Sequence, residues 1–328
     1  MKKELKGKRI TLFLPEFYGY EKYIINEMER TGAKVYPVFT NLYQTSALYR
    51  YCLRFLKFFK DKYREAYFIK RLSKISNVDM VFMIAEASVD LNLIKLIRKN
   101  FSEARSVLYL WDSVNNCKNV LDYYKEFDVV LTFDSNDAKE YGWKYRPLFF
   151  IDQLVKDTPR EFDISSICAV SEDRIEMVYG LKKMAEKRGY NIYIYLYCSR
   201  MRYIKNRFLL RKKIYRKLSV KDIKFRPLSL EETHRIYDRS KCIADYASKK
   251  QTGLTMRTIE CLGHQCKLIT NNEEIKNADF YSEQNILYYN EEFPEIPAEF
   301  CMSVYQMDNR AVYRNYSLKS WLEDILYE

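Results

Sequence analysis

The residues best suited to chemistry lie in one short run, QTGLTMRTIE, which occupies residues 251–260. An apolar, strand-like pattern precedes the run, and a helix is expected to begin at Thr255 and to end near Gly263. A loop that leads into a helix exposes unpaired backbone N–H groups and the positive end of the helix dipole, and these bind phosphate. Glu260, one turn further along, is at a suitable depth to accept hydrogen bonds from a ribose. The run therefore predicts a nucleotide-diphosphate site, of the kind found in nucleotide-sugar enzymes.

The amides and side chains of this run have assignable roles. The N–H groups of Thr255, Met256 and Arg257 would bind the diphosphate, and the arginine guanidinium would stabilise its charge as it leaves. Gly253 would let the backbone of the preceding loop approach the ligand closely. Structural alternatives stay open: a helix cap beside an exposed arginine, a plain turn at Gly253, and a Glu260 carboxylate paired with a lysine.

Length and charge narrow the function classes. The chain has 328 residues, 48% of them hydrophobic, so it is long enough for two domains with sizeable cores. Its formal net charge of +12 predicts an anionic partner, for which nucleic acid, anionic lipid and phosphorylated substrates all qualify. The charge is spread along the chain and no RNA-binding motif is present, so a nucleic-acid-binding protein is the least favoured class.

Targeting and metal-binding signals are missing from the sequence. The first apolar run is too short for the core of a signal peptide, and no run approaches the length of a transmembrane helix. We therefore expect a cytoplasmic protein. The 8 scattered cysteines form no CxxC pair, and the only 2 histidines are His234 and His264. This composition predicts buried thiols rather than a zinc site or a disulfide framework.

Two successive rounds of strand and helix patterns predict two parallel α/β domains. In the first round, strands are expected at residues 9–14, 34–38, 78–84, 106–111 and 128–133, and helices at 20–31, 47–75, 89–100, 119–126 and 136–141. In the second, strands are expected at 164–170, 191–198, 221–225, 242–246 and 267–270, and helices at 173–188, 203–217, 229–238 and from 255. Two helical patterns, 309–316 and 317–327, finish the chain.

These patterns set the expected domain limits. We place a first domain at residues 1–150, a polar linker at 151–163 and a second domain at 164–308. The helices of residues 309–328 would pack back on the first domain. No GxGxxG follows the first strand and no GxxxxGK[ST] occurs, which excludes the dinucleotide fingerprint and the P-loop.

Three stretches carry a resemblance to a known group of enzymes. They are LYLWDS at 108–113, FDVVLTFDSNDAKEYGWKYRPLFF at 127–150, and QTGLTMRTIECLGHQCKLITNN at 251–272. They resemble bacterial GT-B glycosyltransferases of surface-polysaccharide assembly, and look most like the group labelled CgeB-like or lipopolysaccharide-biosynthesis proteins. The resemblance implies two Rossmann-like parallel-sheet domains that face each other across a cleft, with the acceptor on the N-terminal domain and the nucleotide-sugar donor on the C-terminal domain.

The resemblance also implies the substrates. The donor would be a UDP-, GDP- or dTDP-linked sugar, and the acceptor would be a glycan or a lipid-linked glycan. GT-B enzymes need no catalytic metal, and the chain has no Asp-x-Asp triplet of the metal-dependent GT-A type. We therefore expect no cofactor and no metal.

Individual residues also take roles from the resemblance. Glu260 matches the second, ribose-binding glutamate of a Glu-x7-Glu motif, but Thr252 stands where the first glutamate belongs. Arg174 resembles an arginine that faces the diphosphate. Asp245, at the end of a strand, would contact the donor sugar or orient a cationic neighbour. The full predicted donor-binding set is Arg174, Asp245, Gln251, Gly253, Leu254, Thr255, Met256, Arg257 and Glu260.

Two carboxylates are candidates for the base that takes the acceptor proton in an inverting transfer. Asp112 follows the aromatic strand of LYLWDS, and Glu16 follows the first strand in LPEFYGY. Asp112 is slightly favoured, although it is also suited to an Asx turn. His234 lies in an ordinary helix pattern and His264 in a helix-ending turn, so both histidines are weaker candidates.

A basic amphipathic pattern spans residues 49–74 and combines Lys and Arg with Phe, Leu and Tyr. A helix of this kind lies on anionic lipid, so we expect peripheral contact with the inner face of the plasma membrane, where lipid-linked acceptors reside. Packing of the aromatic stripe on the sheet is the alternative. A second basic stretch, residues 200–217, either extends this basic surface or is solvated.

The sequence thus predicts a sugar transferase of bacterial capsule, exopolysaccharide or lipopolysaccharide assembly. The alternative is a non-catalytic GT-B-like module of a polysaccharide or coat assembly, which would keep the fold without turnover. The donor sugar, the acceptor and the inverting or retaining outcome stay open, because loop shape rather than fold sets specificity.

Overall fold

The computed structural model describes residues 5–42, 49, 57–217, 219–247, 252–290, 293–307 and 309–327. The chain divides into two compact units, of which the first comprises Met1–Leu148 with Leu318–Glu328 and the second comprises Phe149–Ser317. Within the described residues, each unit contains one six-stranded sheet. All the paired strands run parallel. The fold class is therefore α/β, as the alternating patterns predicted.

The first sheet is built from buried apolar strands. They are β1 (Arg9–Leu14), β2 (Lys34–Phe39), β3 (Met80–Ala85), β4 (Arg105–Leu110), β5 (Val129–Thr132) and β6 (Lys144–Tyr145), in the order β2-β1-β3-β4-β5-β6. The helices between them are α1 (Tyr20–Arg30), α2 (Lys57–Leu72), α3 (Leu91–Asn100) and α4 (Ser135–Tyr141). Every residue of β3 is buried, as expected for a central parallel strand covered on both faces.

The second sheet repeats this plan. Its strands are β7 (Phe162–Ala169), β8 (Ile192–Tyr197), β9 (Ile223–Lys224), β10 (Ser240–Asp245), β11 (Lys267–Thr270) and β12 (Ile286–Tyr288), in the order β12-β11-β10-β7-β8-β9. Its helices are α5 (Glu172–Arg188), α6 (Arg200–Ile204), α7 (Lys213–Lys217), α8 (Leu230–Asp238), α9 (Met256–Gly263), α10 (Ala298–Met302) and α11 (Arg310–Asn315). Ser229 and Glu232 form a capping box that starts α8, which explains why its sequence signal was clear.

The last helix, α12 (Leu318–Tyr327), belongs to the first unit although the second unit precedes it in the chain. Its Trp321 is fully buried and meets the Tyr109 ring of β4 edge-on, with 4.9 Å between the ring centroids. An ion pair of 2.7 Å between Arg146 Nε and Asp324 Oδ2 adds a polar contact in the same unit. Helix α12 therefore completes the cover of the first sheet.

Several elements differ from the sequence predictions. The helix expected at 203–217 is broken into α6, a π-helical turn at Lys205–Leu209, and α7. The helix expected at 119–126 is two short 3₁₀ turns, Lys118–Asp122 and Tyr124–Glu126. Neither β6 nor β12 was predicted, because two or three residues carry too little pattern to detect.

The division between the units lies between Leu148 and Phe149, and residues 151–163 are counted with the second unit. The polar segment that was taken for a linker is held there by hydrogen bonds. The Lys156 amide donates to Asp238 Oδ1 at 2.9 Å, and Arg160 donates to the carbonyl oxygens of Tyr237 and His264 at 2.9 and 2.7 Å. Helix α11 is part of the second unit, whereas α12 is part of the first.

No helix in the described part of the chain has the length and apolar character needed to cross a bilayer.

Candidate functional site

The second sheet has its topological switch point between β7 and β10. These neighbours lie at its centre, and the chain continues from β7 towards β8 on one side and from β10 towards β11 on the other. In open parallel sheets, ligands bind in the crevice at the carboxyl ends of two such strands. Helix α5 begins directly after β7, and α9 begins after the loop that follows β10. Both helices therefore start at this crevice.

The first turn of α9 is organised by a cap and an ion pair. Thr255 is the N-cap, and its Oγ1 accepts from the Thr258 amide at 3.3 Å and donates to Asp245 Oδ2 at 3.1 Å. The Arg257 guanidinium pairs with Asp245 Oδ1. Burial is the largest single influence on the Arg257 guanidinium and lowers its pKa, but the Asp245 carboxylate together with Tyr237 and Cys168 raises that pKa above its usual value. The amides of Met256 and Arg257, in the first turn, have no intrahelical acceptor, and both residues are partly exposed.

Arg174 contributes a second positive charge beside the same strand ends. It is the third residue of α5, whose N-cap Ser171 accepts from its amide at 3.4 Å. Burial raises the pKa of the Cys168 thiol at the end of β7, and the charges of Arg257 and Arg174 both oppose that rise. Arg174 and Arg257 thus lie in the first turns of the two helices that begin at the switch point. The structure brings these two predicted residues together.

The loop between β10 and α9 is tied to the strand beside it. Asn271 accepts from the Ala247 amide at 2.8 Å, and Asn272 Nδ2 donates to the Gly253 carbonyl at 3.2 Å. Leu254 is buried, so its side chain belongs to the packing of this loop. Gln251 lies outside the described residues.

Glu260 is buried and faces protein groups. It is only 3% exposed, and its Oε1 lies 3.3 Å from Nε2 of His234. His234 Nδ1 is 2.6 Å from His264 Nε2, and His264 Nδ1 is 2.7 Å from Asp238 Oδ1. The two histidines of the sequence thus join a carboxylate of α8 to a carboxylate of α9. We call Glu260, His234, His264 and Asp238 the buried His–carboxylate chain.

The distances within the buried His–carboxylate chain limit which of its atoms can carry protons. Burial lowers the pKa of His264 and outweighs the raising effect of Asp238, so His264 is neutral at neutral pH. If its Nδ1–H donates to Asp238, its Nε2 must accept from the Nδ1–H of His234. A hydrogen bond between His234 Nε2 and Glu260 Oε1, which are 3.3 Å apart, requires a proton on one of these two atoms. The buried His–carboxylate chain therefore links α8 to α9 through three contacts of 2.6 to 3.3 Å.

Sequence reasoning missed the buried His–carboxylate chain, although the spacing of its residues is a detectable signal. His234 and Asp238 are four residues apart, and so are Glu260 and His264. Each pair therefore lies on one face of its helix. Two such pairs on consecutive helices of one domain indicate a contact between the helices, which the separate assessment of each histidine overlooked.

A cavity of about 700 Å³ adjoins the crevice in the second unit. Its lining includes Asp173 at the start of α5, Tyr246 after β10 and Tyr289 after β12. Lys183 and Lys187 of α5 line its other end. This volume is within the range of ligand pockets.

The first unit contains a separate pocket at the switch point of its own sheet, between β1 and β3. The pocket has a volume of about 290 Å³. Glu16 follows β1, Glu86 follows β3 and Asp112 follows β4, and all three line it. The predicted base candidates Glu16 and Asp112 are therefore brought together. Glu86 was not predicted, because the sequence does not show that β3 lies beside β1.

The four carboxylates that line this pocket, those of Glu16, Glu21, Glu86 and Asp112, have different surroundings. Glu21 Oε2 accepts from the Phe17 and Gly19 amides at 3.0 and 3.2 Å. Asp112 Oδ1 accepts from the Ser113 amide at 2.9 Å and from Asn116 Nδ2 at 2.8 Å, as in the turn considered as its alternative role. Glu86 Oε1 accepts from Ser88 Oγ at 2.6 Å. Among the described residues, Glu16 has no hydrogen bond or ion pair.

Aromatic rings and negative charge shape the same pocket. Phe17, Tyr20 and Trp111 line it, and the Phe17–Trp111 and Tyr20–Trp111 ring centroids are each 5.7 Å apart. Burial and the charges of Asp112 and Glu86 raise the pKa of the lining residue Cys117 to about 12, so its thiol stays protonated. Carboxylates beside aromatic faces are suited to a polyhydroxylated ligand.

The basic pattern at 49–74 is described in part, as Tyr49 and residues 57–74. Phe68 and Leu72 of α2 are buried in the first unit, whereas Phe59 and Ile69 are exposed. The helix therefore packs on its sheet and also presents apolar side chains to solvent.

No protein-family model matches the sequence, and no curated protein matches it. Solved structures do match over nearly the full length. A glycosyltransferase from Rickettsia africae has a TM-score of 0.59 at 13% identity, over 98% of this chain and 97% of that chain. HepE from Anabaena, solved with UDP and glucose, has a TM-score of 0.57 at 9% identity, over 97% and 98%. A UDP-GlcNAc 2-epimerase from Neisseria meningitidis, bound to UDP-GlcNAc, has a TM-score of 0.55 at 10% identity, over 98% of both chains. The chain thus has the GT-B fold, which these glycosyltransferases and epimerases share.

Proposed function

We propose that the chain is a metal-independent glycosyltransferase. It would move a sugar from a UDP-, GDP- or dTDP-linked donor to a glycan or lipid-linked acceptor in bacterial capsule, exopolysaccharide or lipopolysaccharide assembly, as in the CgeB-like group. The observation that carries this proposal is the position of Arg174 and Arg257 in the first turns of the two helices that begin at the switch point of the second sheet. Solved neighbours of the same fold carry UDP or a UDP-sugar, which supports a nucleotide-sugar partner.

The switch-point arrangement suits a diphosphate that becomes a leaving group. Unpaired amides of the α9 first turn and two cations stabilise the negative charge that develops as the sugar departs. The cavity lined by Tyr246 and Tyr289 provides room for the nucleoside. In this proposal Glu260 supports the site from behind α9 through His234, in addition to the ribose contact predicted from sequence.

The pocket of the first unit suits the acceptor. Its rings would pack against a sugar face, and its carboxylates would accept hydrogen bonds from hydroxyl groups. One of these carboxylates would act as the base, and Glu16 and Asp112 remain the candidates. We further propose a cytoplasmic protein that touches the inner face of the plasma membrane through α2, where Phe59 and Ile69 are exposed.

A non-catalytic GT-B-like module is the second candidate. Two observations favour it: Arg257 is already paired with Asp245, and the carboxylate of Glu260 is enclosed by protein. In such a module the charges at the switch point would hold the fold together, and a nucleotide sugar would not be consumed.

Donor binding is the first test. Isothermal titration with UDP, GDP and dTDP sugars should give binding for one nucleotide class, and Arg174→Gln should weaken it about tenfold by removing one charge-assisted contact. Arg235→Gln, an exposed arginine of α8, is the matched control and should leave affinity unchanged. No binding of any nucleotide sugar, or equal binding by both variants, would contradict the site.

Measurement of donor turnover then distinguishes a transferase from a non-catalytic module. Incubation of the bound donor with acceptor glycans should release the nucleoside diphosphate and extend the glycan. Release of nucleotide that requires an acceptor supports the transferase. Binding without consumption of donor supports the non-catalytic module, and conversion of UDP-GlcNAc to its 2-epimer in the absence of acceptor would identify an epimerase instead.

A further inference from the structure

A strongly exposed apolar cluster lies in the second unit, in the segment that follows β8. It spans residues 200–213, which comprise α6, the π-helical turn and the loop into α7, and we call it the basic–apolar tip. Five large apolar side chains within ten residues face solvent: Met201 (84% exposed), Ile204 (52%), Phe208 (62%), Leu209 (75%) and Leu210 (53%). Isolated exposed apolar residues are ordinary, but a contiguous group indicates an interaction surface.

Positive charge surrounds these apolar side chains. The basic residues of the tip are Arg200, Arg202, Lys205, Arg207, Arg211, Lys212 and Lys213. No acidic residue occurs between Glu186 and Asp222 in the sequence. The tip therefore combines apolar side chains with a local positive charge that no neighbour in the sequence neutralises.

The fold holds this tip in a defined shape. Tyr203 and Tyr215 are buried in the hydrophobic core of the second unit. Arg207 Nη1 donates to the Tyr215 carbonyl at 2.8 Å, and the Lys212 amide donates to the Asn206 carbonyl at 2.9 Å. The two buried rings fix one face inward, so the apolar side chains are exposed by the architecture of the segment.

Spacing along the helix puts the apolar residues on one side. Met201, Ile204 and Phe208 are three and four residues apart, so they share one face. Leu209 and Leu210 follow at the end of the π-helical turn, and both are exposed. Long basic side chains around such a face can extend towards lipid headgroups while their stems cover apolar surface.

We propose that the basic–apolar tip is a membrane-docking surface that inserts its apolar side chains into the headgroup region of an anionic bilayer. The charge complementarity and the grouped aliphatic side chains carry this choice. Single-stranded nucleic acid binds on aromatic platforms, and only one exposed ring, Phe208, is present. Pairing with a second copy through the same patch would oppose like charges. The proposal concerns the second unit alone and does not depend on the proposed catalytic role.

Vesicle cosedimentation tests the proposal with the full chain. We expect binding to vesicles of phosphatidylcholine with about 30% phosphatidylglycerol, and markedly weaker binding to phosphatidylcholine alone. The triple variant Phe208→Ser, Leu209→Ser and Leu210→Ser should lower the partition coefficient at least about tenfold. The matched control, Met302→Ser with Val304→Ser, removes apolar side chains that are 62% and 78% exposed elsewhere in the same unit and should bind as the wild type does.

Two further double variants test the roles of positive charge and of α2 in vesicle binding. Measurements of oligomeric state and of oligonucleotide binding test the other two possible partners, a second copy and a nucleic acid. Lys212→Glu with Lys213→Glu should weaken anionic binding, whereas Phe59→Ser with Ile69→Ser reports any contribution of α2 independently. The proposal is overturned if the triple variant binds vesicles like the control. It is also overturned if the triple variant converts a wild-type dimer to a monomer, or abolishes oligonucleotide binding, while vesicle binding is unchanged. Unchanged thermal midpoints in all variants establish that folding is intact.

Discussion

The carboxylates that line the first-unit pocket are not equivalent at the level of single residues. Asp112 already accepts two hydrogen bonds that shape the loop after β4, and Glu86 accepts one from Ser88. Glu16 has no such partner among the described residues. Asp112 is held in its turn through Oδ1, which leaves only Oδ2 for a substrate proton, whereas both oxygens of Glu16 remain available. The geometry therefore favours Glu16 over Asp112 under the proposed function.

This difference leads to a prediction about turnover. Glu16→Gln should lower kcat by about a hundredfold or more, because an amide cannot take the acceptor proton, while the donor Kd stays unchanged. Asp112→Asn keeps an oxygen acceptor for the turn and should cost much less. Steady-state kinetics with saturating donor measures both. A large loss in Asp112→Asn with near-normal Glu16→Gln would assign the base to Asp112.

The helix start at Thr255 could be predicted from the sequence, because N-caps and helix starts are local signals. It failed where a role depends on which strands are neighbours or on which helices touch. Glu86 and the buried His–carboxylate chain are both of this kind. Local sequence cannot show that β3 lies beside β1, or that His234 meets His264.

At the scale of elements, the strands were the most predictable part of the fold, because buried parallel strands read as continuous apolar runs. The sequence predictions failed where the backbone departs from regular α-helical geometry. The basic segment after β8 carries a helical pattern, but a π-helical turn and a positive φ of 46° at Arg211 split it. Such breaks arise from tertiary contacts, here those of Tyr203 and Tyr215, which periodicity does not record.

The buried His–carboxylate chain, which links α8 to α9, predicts that the free energy of unfolding depends on pH. Burial holds the folded-state pKa of His264 below its usual value of 6.5, while Asp238, His234 and Glu260 are its charged or titratable neighbours. The unfolded chain therefore takes up the proton first as the pH falls. The stabilising contribution is present in full above about pH 6.5 and is lost as the pH drops below that value towards the folded pKa.

His264→Gln removes this linkage. Thermal midpoints measured between about pH 5 and pH 8 should fall less steeply with acidification in the variant than in the wild type. Lys183→Gln, an exposed substitution on α5, is the control and should keep the wild-type slope. Equal slopes in all three proteins would show that His264 is not held neutral by the fold.

At the scale of the whole molecule, the first unit is assembled from two separate parts of the chain. Trp321 of α12 is fully buried against Tyr109 and Phe82, at centroid distances of 4.9 and 6.1 Å. Trp321→Ala should destabilise the first unit by about 3–5 kcal/mol through lost burial and a residual cavity. Hydrogen exchange should then rise in β3 and β4 and stay unchanged in β7 and β10.

A second aromatic substitution in the first unit is the control for Trp321→Ala. Tyr145→Ala removes a partly exposed ring from the same unit and should alter exchange only locally. Equal loss of protection in both sheets after Trp321→Ala would mean that the units do not have separate stabilities.

The position of α12 also sets the order of events during translation. A ribosome completes residues 149–317 before it reaches 318–327, so the second sheet can form while the first still lacks its covering helix. Until Tyr327 has emerged, the aromatic surface of Tyr109 and Phe82 stays open on the nascent chain. Chaperone binding during synthesis is therefore expected to concentrate on the half of the protein that was made first.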